Sequence, residues 1–571
     1  MTTQSTFLDL FRQQARTAPD AMAIATSDSR LTYRQVEVAS DRIAAVLREH
    51  GVQPAEAVAI SVPKVDVAIC AMLGAMKARA AVLLLDPDHP RARRVQQVTY
   101  ARCVLVISDD EDKLTHATPN VSPSSSPAAR PFRASAAEPG DPAYIVYTSG
   151  STAAPKGVVC GHASLANVAL AQRTLLGVGK GDRVAVNAPV TVDAFYFEVI
   201  LALAAGARLQ VPDPGERRAG PRFRRFLRER GITVLVCTPT KLRTLEPADH
   251  HGLRLVISAG EELDTGLARR WAPGRRLINA YGPTEATIWT TMADISGTES
   301  EIPLGTAIPG CRVDVLRHDL SAAATGEVGE LVIGGAGVAL GYLHDPGSDA
   351  FITMPDGDRA YRTGDRAVRR RDGSLVFAGR IDDQVKVSGF RIELGEIRHH
   401  LLQHPAVGDA AVRVDGGRLI AYATAADPGT RPEGPEALKR FLSGRLPEYM
   451  LPSSYIWLDT MPATNWGKAD VASLPGAAGA ASSQRGWRPT ETPIEQFLAD
   501  AVGEMLDFTA GADDDLFLIG LDSISVAKLM NKVNTQFDVE LEHIEVFDNP
   551  TISALAKYIA DRVAAAGSVR Q

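Results

Sequence analysis

The run Asp515-Leu516-Phe517-Leu518-Ile519-Gly520-Leu521-Asp522-Ser523-Ile524 presents one serine, Ser523, after an acidic loop and at the start of a helical pattern. A hydroxyl there can cap the helix, but it is also presented for covalent modification, in a segment too small to be an enzyme by itself. Far upstream, Tyr147-Thr148-Ser149-Gly150-Ser151-Thr152-Ala153-Ala154-Pro155-Lys156-Gly157 gathers hydroxyls and glycines ahead of a lysine. Such a backbone can aim N–H groups at an anion while Lys156 adds positive charge, which is the chemistry of a phosphate grip. It is not a Walker A loop, because Lys156 is followed by Gly157 rather than by Ser or Thr. One chain thus pairs a nucleotide-type grip with a serine able to carry a group away.

The elements that must position these residues belong to an ordinary globular chain. Its 571 residues, 45% apolar and 23% charged, predict three or four compact units, since single cores rarely exceed ~250–300 residues. A net charge of −7 and a pI near 6.0 exclude nucleic acid as a main partner, for no basic face stands ready to neutralise phosphates. The cluster Arg217, Arg218, Arg222, Arg224, Arg225, Arg228, Arg230 is locally basic, and the interleaved Phe223, Phe226 and Leu227 make it read as the solvated face of a surface helix. Cys70, Cys103, Cys160, Cys237 and Cys311 are scattered without C-x-x-C spacing, which predicts buried thiols rather than a zinc site or disulfides. No secretory leader pattern and no membrane-length apolar run is present, so the expected setting is cytoplasmic, with no membrane partner.

Helical and strand-like stretches alternate from the start. Residues 41–47 have helical periodicity, and Ala80-Ala81-Val82-Leu83-Leu84-Leu85 is a buried-strand run closed by Asp86-Pro87. Residues 118–142, rich in Pro, Ser and Ala, read as a loop. Strand runs resume around Tyr144, Val184, Val234 and Leu255, predicting α/β layering over largely parallel sheets. Residues 303–376 shorten to strands and turns, a smaller β-rich lobe. Arg380-Ile381-Asp382-Asp383 opens a compact unit ending near Pro475, and 476–486 read as a flexible linker. Beyond it three amphipathic stretches, the last capped by Thr551, form a small helical bundle.

Taken together the motifs resemble a nonribosomal peptide synthetase adenylation domain followed by a peptidyl carrier (thiolation) domain, within the adenylate-forming superfamily. The resemblance runs through Leu31-Thr32-Tyr33-Arg34, the Tyr147 to Gly157 loop, Asn279-Ala280-Tyr281-Gly282-Pro283-Thr284-Glu285 and Tyr361-Arg362-Thr363-Gly364-Asp365. It continues through Gly379-Arg380-Ile381-Asp382-Asp383-Gln384-Val385-Lys386, Arg391-Ile392-Glu393-Leu394-Gly395-Glu396, Leu446-Pro447-Glu448-Tyr449-Met450-Leu451-Pro452 and Gly467-Lys468-Ala469-Asp470. It implies an α/β large subdomain with parallel sheets and a β-rich lobe over 1–380, and a small mobile α+β subdomain over 381–475. A linker over 476–489 and a four-helix carrier bundle over 490–571 complete it.

The resemblance also implies cofactors and roles. ATP and Mg²⁺ serve adenylation, and 4′-phosphopantetheine sits on Ser523. Tyr281 stacks on adenine with Asn279 and the Gly260-Glu261 turn at its edge, and Thr148, Ser149, Gly150, Ser151, Thr152 and Lys156 hold phosphate. Asp365 takes the ribose hydroxyls beside Arg380, Thr284 meets the α-phosphate, and Glu285 holds Mg²⁺. Lys468 is the catalytic cation between substrate carboxylate and nucleotide, and Asp382 is the hinge on which the small subdomain turns between two half-reactions. In the second of these, Lys468 swings away and the loop around Gly389 approaches the thiol's entry. Trp466 where Asn is usual, Ala153-Ala154 where Thr-Gly is usual and Leu521 where Gly is usual are departures from the family pattern.

Asp193 matches the carboxylate that pairs with a substrate α-ammonium, so the resemblance implies an amino acid. Ala194, Phe197, Val236, Ile257, Ala259, Ala280, Ile288 and Trp289 line the rest of its pocket. That lining is apolar, and a charged or amide side chain would lie there unpaired. Valine-, leucine-, isoleucine- and phenylalanine-like substrates all remain open. No H-H-x-x-x-D-G or G-x-S-x-G motif is present, so the chain reads as a freestanding loading module. Its implied partners are a pantetheinyl transferase, downstream synthetase or tailoring enzymes and an MbtH-like activator. A CoA ligase releasing its product, or a carrier scaffold without catalysis, are the rival readings.

Overall fold

The computed structural model describes residues 6–569 except 110–113, 116–117, 125–136, 149–154, 346, 383, 388, 416, 428–434, 463–469, 476–487, 507–508, 515, 517–518, 520, 522, 540, 542–544 and 547–548. Two sheets frame the large unit. One runs, edge to edge, Thr306–Ala307, Thr291–Ile295, Arg276–Tyr281, Leu255–Ala259, Val234–Cys237, Arg183–Ala185, Arg208–Gln210, Met22–Ala25 and Arg30–Thr32. Its central pairings are parallel, and the register sets Val236 beside Ile257 and Ala259 beside Ala280. The other runs Gly341–Tyr342, Lys156–Gly161, Pro142–Thr148, Ala81–Leu84, Ala57–Ser61, Leu105–Ser108 and Asn120–Val121. The last of these falls in the stretch 118–142 expected to be loop; it pairs at the sheet edge with Leu105–Ser108.

The helices Val65–Lys77 and Asp193–Ala205 are buried along nearly their whole length. Both are apolar all round, the pattern of a helix enclosed by core. The second begins at Asp193 and ends at Gly206, whose φ of 78° is the left-handed cap that glycine adopts without strain. Its one buried acid, Glu198, accepts from the backbone N–H groups of Asn187 (2.9 Å) and Ala188 (3.1 Å). Burial nonetheless pushes that carboxyl up to about 8.

Beyond the two sheets, Cys311–Leu316, Val328–Gly335, Arg359–Arg369, Phe351–Thr353 and Leu375–Arg380 form the antiparallel lobe that the shortened period predicts. The small unit follows. It holds the hairpin Val385–Val387/Phe390–Ile392 and a sheet of Val407–Asp415, Arg418–Ala425 and Ser454–Leu458. Helices Leu394–Leu402 and Pro435–Ser443 pack with that sheet, around Ile397, Leu401, Leu438 and Leu442. At the C-terminus, helices Pro493–Leu506, Ser523–Phe537 and Ile552–Val569 enclose a separate core that includes Leu498, Val502, Leu529, Val533 and Leu555. Thr551 caps the last of them, its hydroxyl accepting from the Ala554 N–H at 3.2 Å. Among the described residues no helix is long and apolar enough to cross a membrane.

The arginine-rich segment corrects one expectation. Helix Pro221–Glu229 buries Phe223, Phe226 and Leu227 as its period predicts, but its polar side is not left wholly to solvent. The Arg224 guanidinium donates to the Asn531 side chain of the C-terminal bundle, and a Cβ on Gly220 would lie 4.0 Å from Ala527. Periodicity identifies a polar face; it does not say whether water or another domain covers it.

Candidate active site

A cavity of about 1330 Å³ opens between the large and small units. Asp193, the first residue of its helix, enters it half-buried, and its Oδ2 accepts from the Thr284 hydroxyl at 2.6 Å. Burial raises this carboxyl to about 6, against the pull of the Thr284 hydrogen bond. Ala194 and Phe197 follow on the same helix, Val236 stands on its strand, and Ala259 and Ala280 close the neighbouring strand ends. Ile288 and Trp289 complete the apolar lining. Trp289 packs edge-to-face on Phe197 with ring centroids 5.3 Å apart.

Local backbone explains how the last two reach the cavity. After the short turn Thr284–Ala286, Thr287 (φ 55°) and Ile288 (φ 76°) are both left-handed, a strained pair of non-glycine residues of the kind that clusters at functional sites. Gly282 is obligatory here, because a Cβ on it would sit 2.4 Å from the Trp289 Cα. Ile257 departs from expectation. It is fully buried and packs in the core beneath, rather than lining the cavity, because it lies two residues further from its strand's C-terminal end than Ala259.

Of the expected nucleotide residues, Gly260, Glu261, Asn279, Tyr281, Asp365 and Arg380 line the same cavity, whereas Thr148, Lys156, Thr284 and Glu285 do not line it. Asp365 accepts from the Tyr281 hydroxyl and from the Arg380 guanidinium. Arg380 also grips Asp382, the residue expected as the hinge, through Nε (2.6 Å) and Nη2 (2.8 Å). Asn279 donates to the Pro303 carbonyl at 2.8 Å, Gly260 adopts φ 85°, and Glu261 accepts from the Thr240 N–H at 2.8 Å. Thr148 is buried at its strand end, and the Lys156 ammonium lies 5.2 Å from the Tyr342 ring centroid. Ser149, Gly150, Ser151, Thr152 and Lys468 lie outside the described residues. Ser523 is the first residue of its helix.

Comparison with known proteins accounts for this layout. Residues 11–343 match the AMP-binding enzyme family, 396–468 the AMP-binding enzyme C-terminal domain, and 496–559, which include Ser523, the phosphopantetheine attachment site. Novobiocin biosynthesis protein H of Streptomyces niveus is 36% identical over 97% of this chain and 96% of its own length. The chain belongs to the nonribosomal peptide synthetase family, as an adenylation–carrier didomain. Bacitracin synthase 3 of Bacillus licheniformis is 35% identical over 98% of this chain, which spans only 9% of that protein. Among solved structures, holo-PA1221, an NRPS protein with adenylation and PCP domains bound to a vinylsulfonamide inhibitor, superposes with a TM-score of 0.81. It is 27% identical, over 98% of this chain and 97% of its own. The artificially fused NpsA-ThdA didomain from Klebsiella oxytoca gives a TM-score of 0.73 at 25% identity, over 90% of this chain and 99% of its own. The didomain is an ATP-dependent, AMP-forming ligase whose cofactors are ATP with Mg²⁺ and 4′-phosphopantetheine.

The didomain's small unit contributes two cations to which the motifs alone assign no role. Lys386 and Arg391 are cross-strand partners on the hairpin whose turn contains Gly389. The Lys386 ammonium lies 5.6 Å from the Tyr281 ring centroid, and burial lowers its pKa while Asp365 and Asp193 pull the other way. Arg391 pairs with Glu285 at 2.8 Å. Gly389 touches the large unit so closely that a Cβ on it would meet Thr238 Cγ2 at 2.3 Å. Both cations stand inside motifs visible in the sequence; their alternation across a two-stranded hairpin was the available signal.

The chemistry of Glu285 fits Mg²⁺, which takes one or two carboxylates and completes its shell with substrate phosphates and water. Its buried carboxylate is a hard oxygen donor beside Thr284.

Proposed function

We propose that this didomain activates an apolar L-amino acid, of the valine, leucine, isoleucine or phenylalanine class, as its aminoacyl adenylate and loads it on its own carrier domain. One observation carries the reading: Asp193 opens the helix whose Ala194 and Phe197, with Val236, Ala259, Ala280, Ile288 and Trp289, form an apolar stretch of the cavity that Tyr281 and Asp365 also line. A substrate ammonium paired to Asp193 directs its side chain toward Phe197, Val236, Ala259, Ala280 and Trp289, where a charge would be buried unpaired.

In adenylation the substrate carboxylate oxygen attacks the α-phosphorus of ATP, and the bond to pyrophosphate breaks. Two anions must meet, so fixed cations and oriented donors dominate. Lys468 supplies the compact point charge between them, and Lys156 with the Thr148–Thr152 loop holds phosphate. Tyr281, Asn279 and the Gly260-Glu261 turn seat the base, Asp365 and Arg380 the ribose, and Thr284 meets the α-phosphate. Mg²⁺, held by Glu285, neutralises phosphate charge when bound. The pantetheine on Ser523 supplies the accepting thiol.

The arrangement described is the one expected for acyl transfer, with Asp382 as the hinge. Support comes from Gly389 against Thr238, from Lys386 inside the cavity, and from the carrier helix against 221–229. Ala527 and Asn531 lie on the carrier helix that opens at Ser523. Action as a loading unit of natural-product biosynthesis is supported by the match to the novobiocin protein over 96% of that protein's length. A pantetheinyl transferase, downstream modules and an MbtH-like activator are its partners in this reading, and the free cysteines support a cytoplasmic setting.

The test is ATP–pyrophosphate exchange across all amino acids and a set of aryl acids. Exchange with one apolar amino acid and little with Asp, Lys or Gln is expected. Preference for a charged amino acid or an aryl acid overturns the pocket assignment.

A further inference from the structure

Glu285 is held from two sides. From the large unit, the Tyr342 hydroxyl donates to Oε1 at 2.8 Å. From the small unit, Arg391 Nη1 donates to Oε1 at 3.1 Å and Oε2 at 2.8 Å. The carboxylate is 1% exposed. A buried carboxylate needs one compensating cation. With both oxygens engaged by a guanidinium, a Mg²⁺ ion, which demands close octahedral oxygens, has no place on the same group.

We propose that Arg391 is a positioning residue that takes the place of Mg²⁺ on Glu285, so that closure of the small unit in this arrangement and cation binding at Glu285 exclude one another. The inference rests on the reading of Glu285 as the metal's ligand and extends it. The guanidinium arrives on the small unit, whereas the carboxylate belongs to the large one, so occupancy of Glu285 reports which arrangement the two units adopt. By linkage, whatever fills Glu285 with Mg²⁺ shifts the units away from the arrangement described, and closure weakens cation binding by the same factor. A cation held by Glu285 would have to leave before Arg391 could take both carboxylate oxygens. With Arg391 in place, Glu285 would no longer be available to hold the cation that serves the first half-reaction. The swap thus gives the two half-reactions a direction.

The experiment uses the full didomain with fluorescent dyes at two exposed positions, 180 on the large unit and 440 on the small one. The fraction in the described arrangement is read by single-molecule energy transfer while Mg²⁺ is titrated at fixed non-hydrolysable AMPPCP. Binding of AMPPCP is followed separately by calorimetry. In the wild type, Mg²⁺ should lower that fraction at least about fivefold, the lower end of typical couplings. Arg391→Met should start with a smaller fraction and respond less than about twofold, and Arg391→Lys should restore part of the response. A wild-type fraction indifferent to Mg²⁺, or an Arg391→Met protein that responds like the wild type, overturns the proposal. Absence of AMPPCP binding by the wild type would instead overturn the adenylation reading on which it rests.

Discussion

Arg93 Nη1 lies 3.0 Å from Glu396 Oε1 across the seam between the large and small units, with the two side chains 6% and 0% exposed. The pair joins helix Arg91–Tyr100 to helix Leu394–Leu402. Burial raises the Glu396 carboxyl and Arg93 pulls it back, so losing the arginine leaves an uncompensated acid in the seam. Breaking a buried pair by removing one partner costs about 3–5 kcal/mol. If the arrangement described is the one proposed for acyl transfer, Arg93→Ala should slow that step at least about tenfold while exchange stays near wild type. Single-turnover loading beside exchange checks this, and equal loss in both assays would contradict it.

Gly389 makes a second, sterically independent demand on the same arrangement. Its φ of 84° disfavours any side chain, and an added Cβ would stand 2.3 Å from Thr238 Cγ2. Gly389→Ala should leave exchange nearly intact and slow loading by about ten- to a hundredfold, the effect of roughly 1–3 kcal/mol of strain confined to one arrangement. Loading at the wild-type rate would show that Gly389 need not approach Thr238 during transfer.

The Asp193 carboxyl, raised to about 6, gives the first half-reaction a pH dependence. An acid whose pKa is raised is charged only above that value, so the partner for the substrate ammonium is lost as pH falls through about 6. Exchange kcat/KM for the amino acid should drop toward tenfold per unit below that point. Asp193→Asn should remove the dependence and lower kcat/KM by a few hundredfold to several thousandfold, the equivalent of about 3–5 kcal/mol. A flat wild-type profile down to pH 5 would contradict the pairing.

Much of this site was legible in the sequence. Asp193, Thr284, Tyr281 and Asp365 stand in recognisable motifs, and their strands and helix ends are fixed by local apolar patterns. What was not legible depends on contacts between units. Arg391 meets Glu285 across 106 residues and Arg93 meets Glu396 across 303, and no local period encodes such pairings. The arginines of 221–229 show the same limit, since a polar helix face is equally suited to water and to the carrier. Ile257 shows it at shorter range: the resemblance put it in the pocket lining, but its strand sets it two residues below Ala259, in the core.

That carrier contact makes its own prediction. Asn531→Arg sets a like charge against Arg224 and should slow loading in cis several-fold, more at low than at high salt, with exchange unchanged. Adding Arg224→Glu should recover part of the loss, and a double-mutant cycle measures the coupling. Additive effects would mean that the two side chains do not meet during transfer.

Activation of the amino acid and its carriage on Ser523 by one and the same chain can be read in a single assay. The measurement is intact-protein mass spectrometry after phosphopantetheinylation and incubation with ATP, Mg²⁺ and the preferred amino acid. The wild type should gain the pantetheine mass and then the aminoacyl mass, both on the peptide containing Ser523. Ser523→Ala should gain neither while retaining pyrophosphate exchange. Aminoacylation of the Ser523→Ala protein, or release of the acyl group on free CoA in place of loading, would contradict self-loading on Ser523.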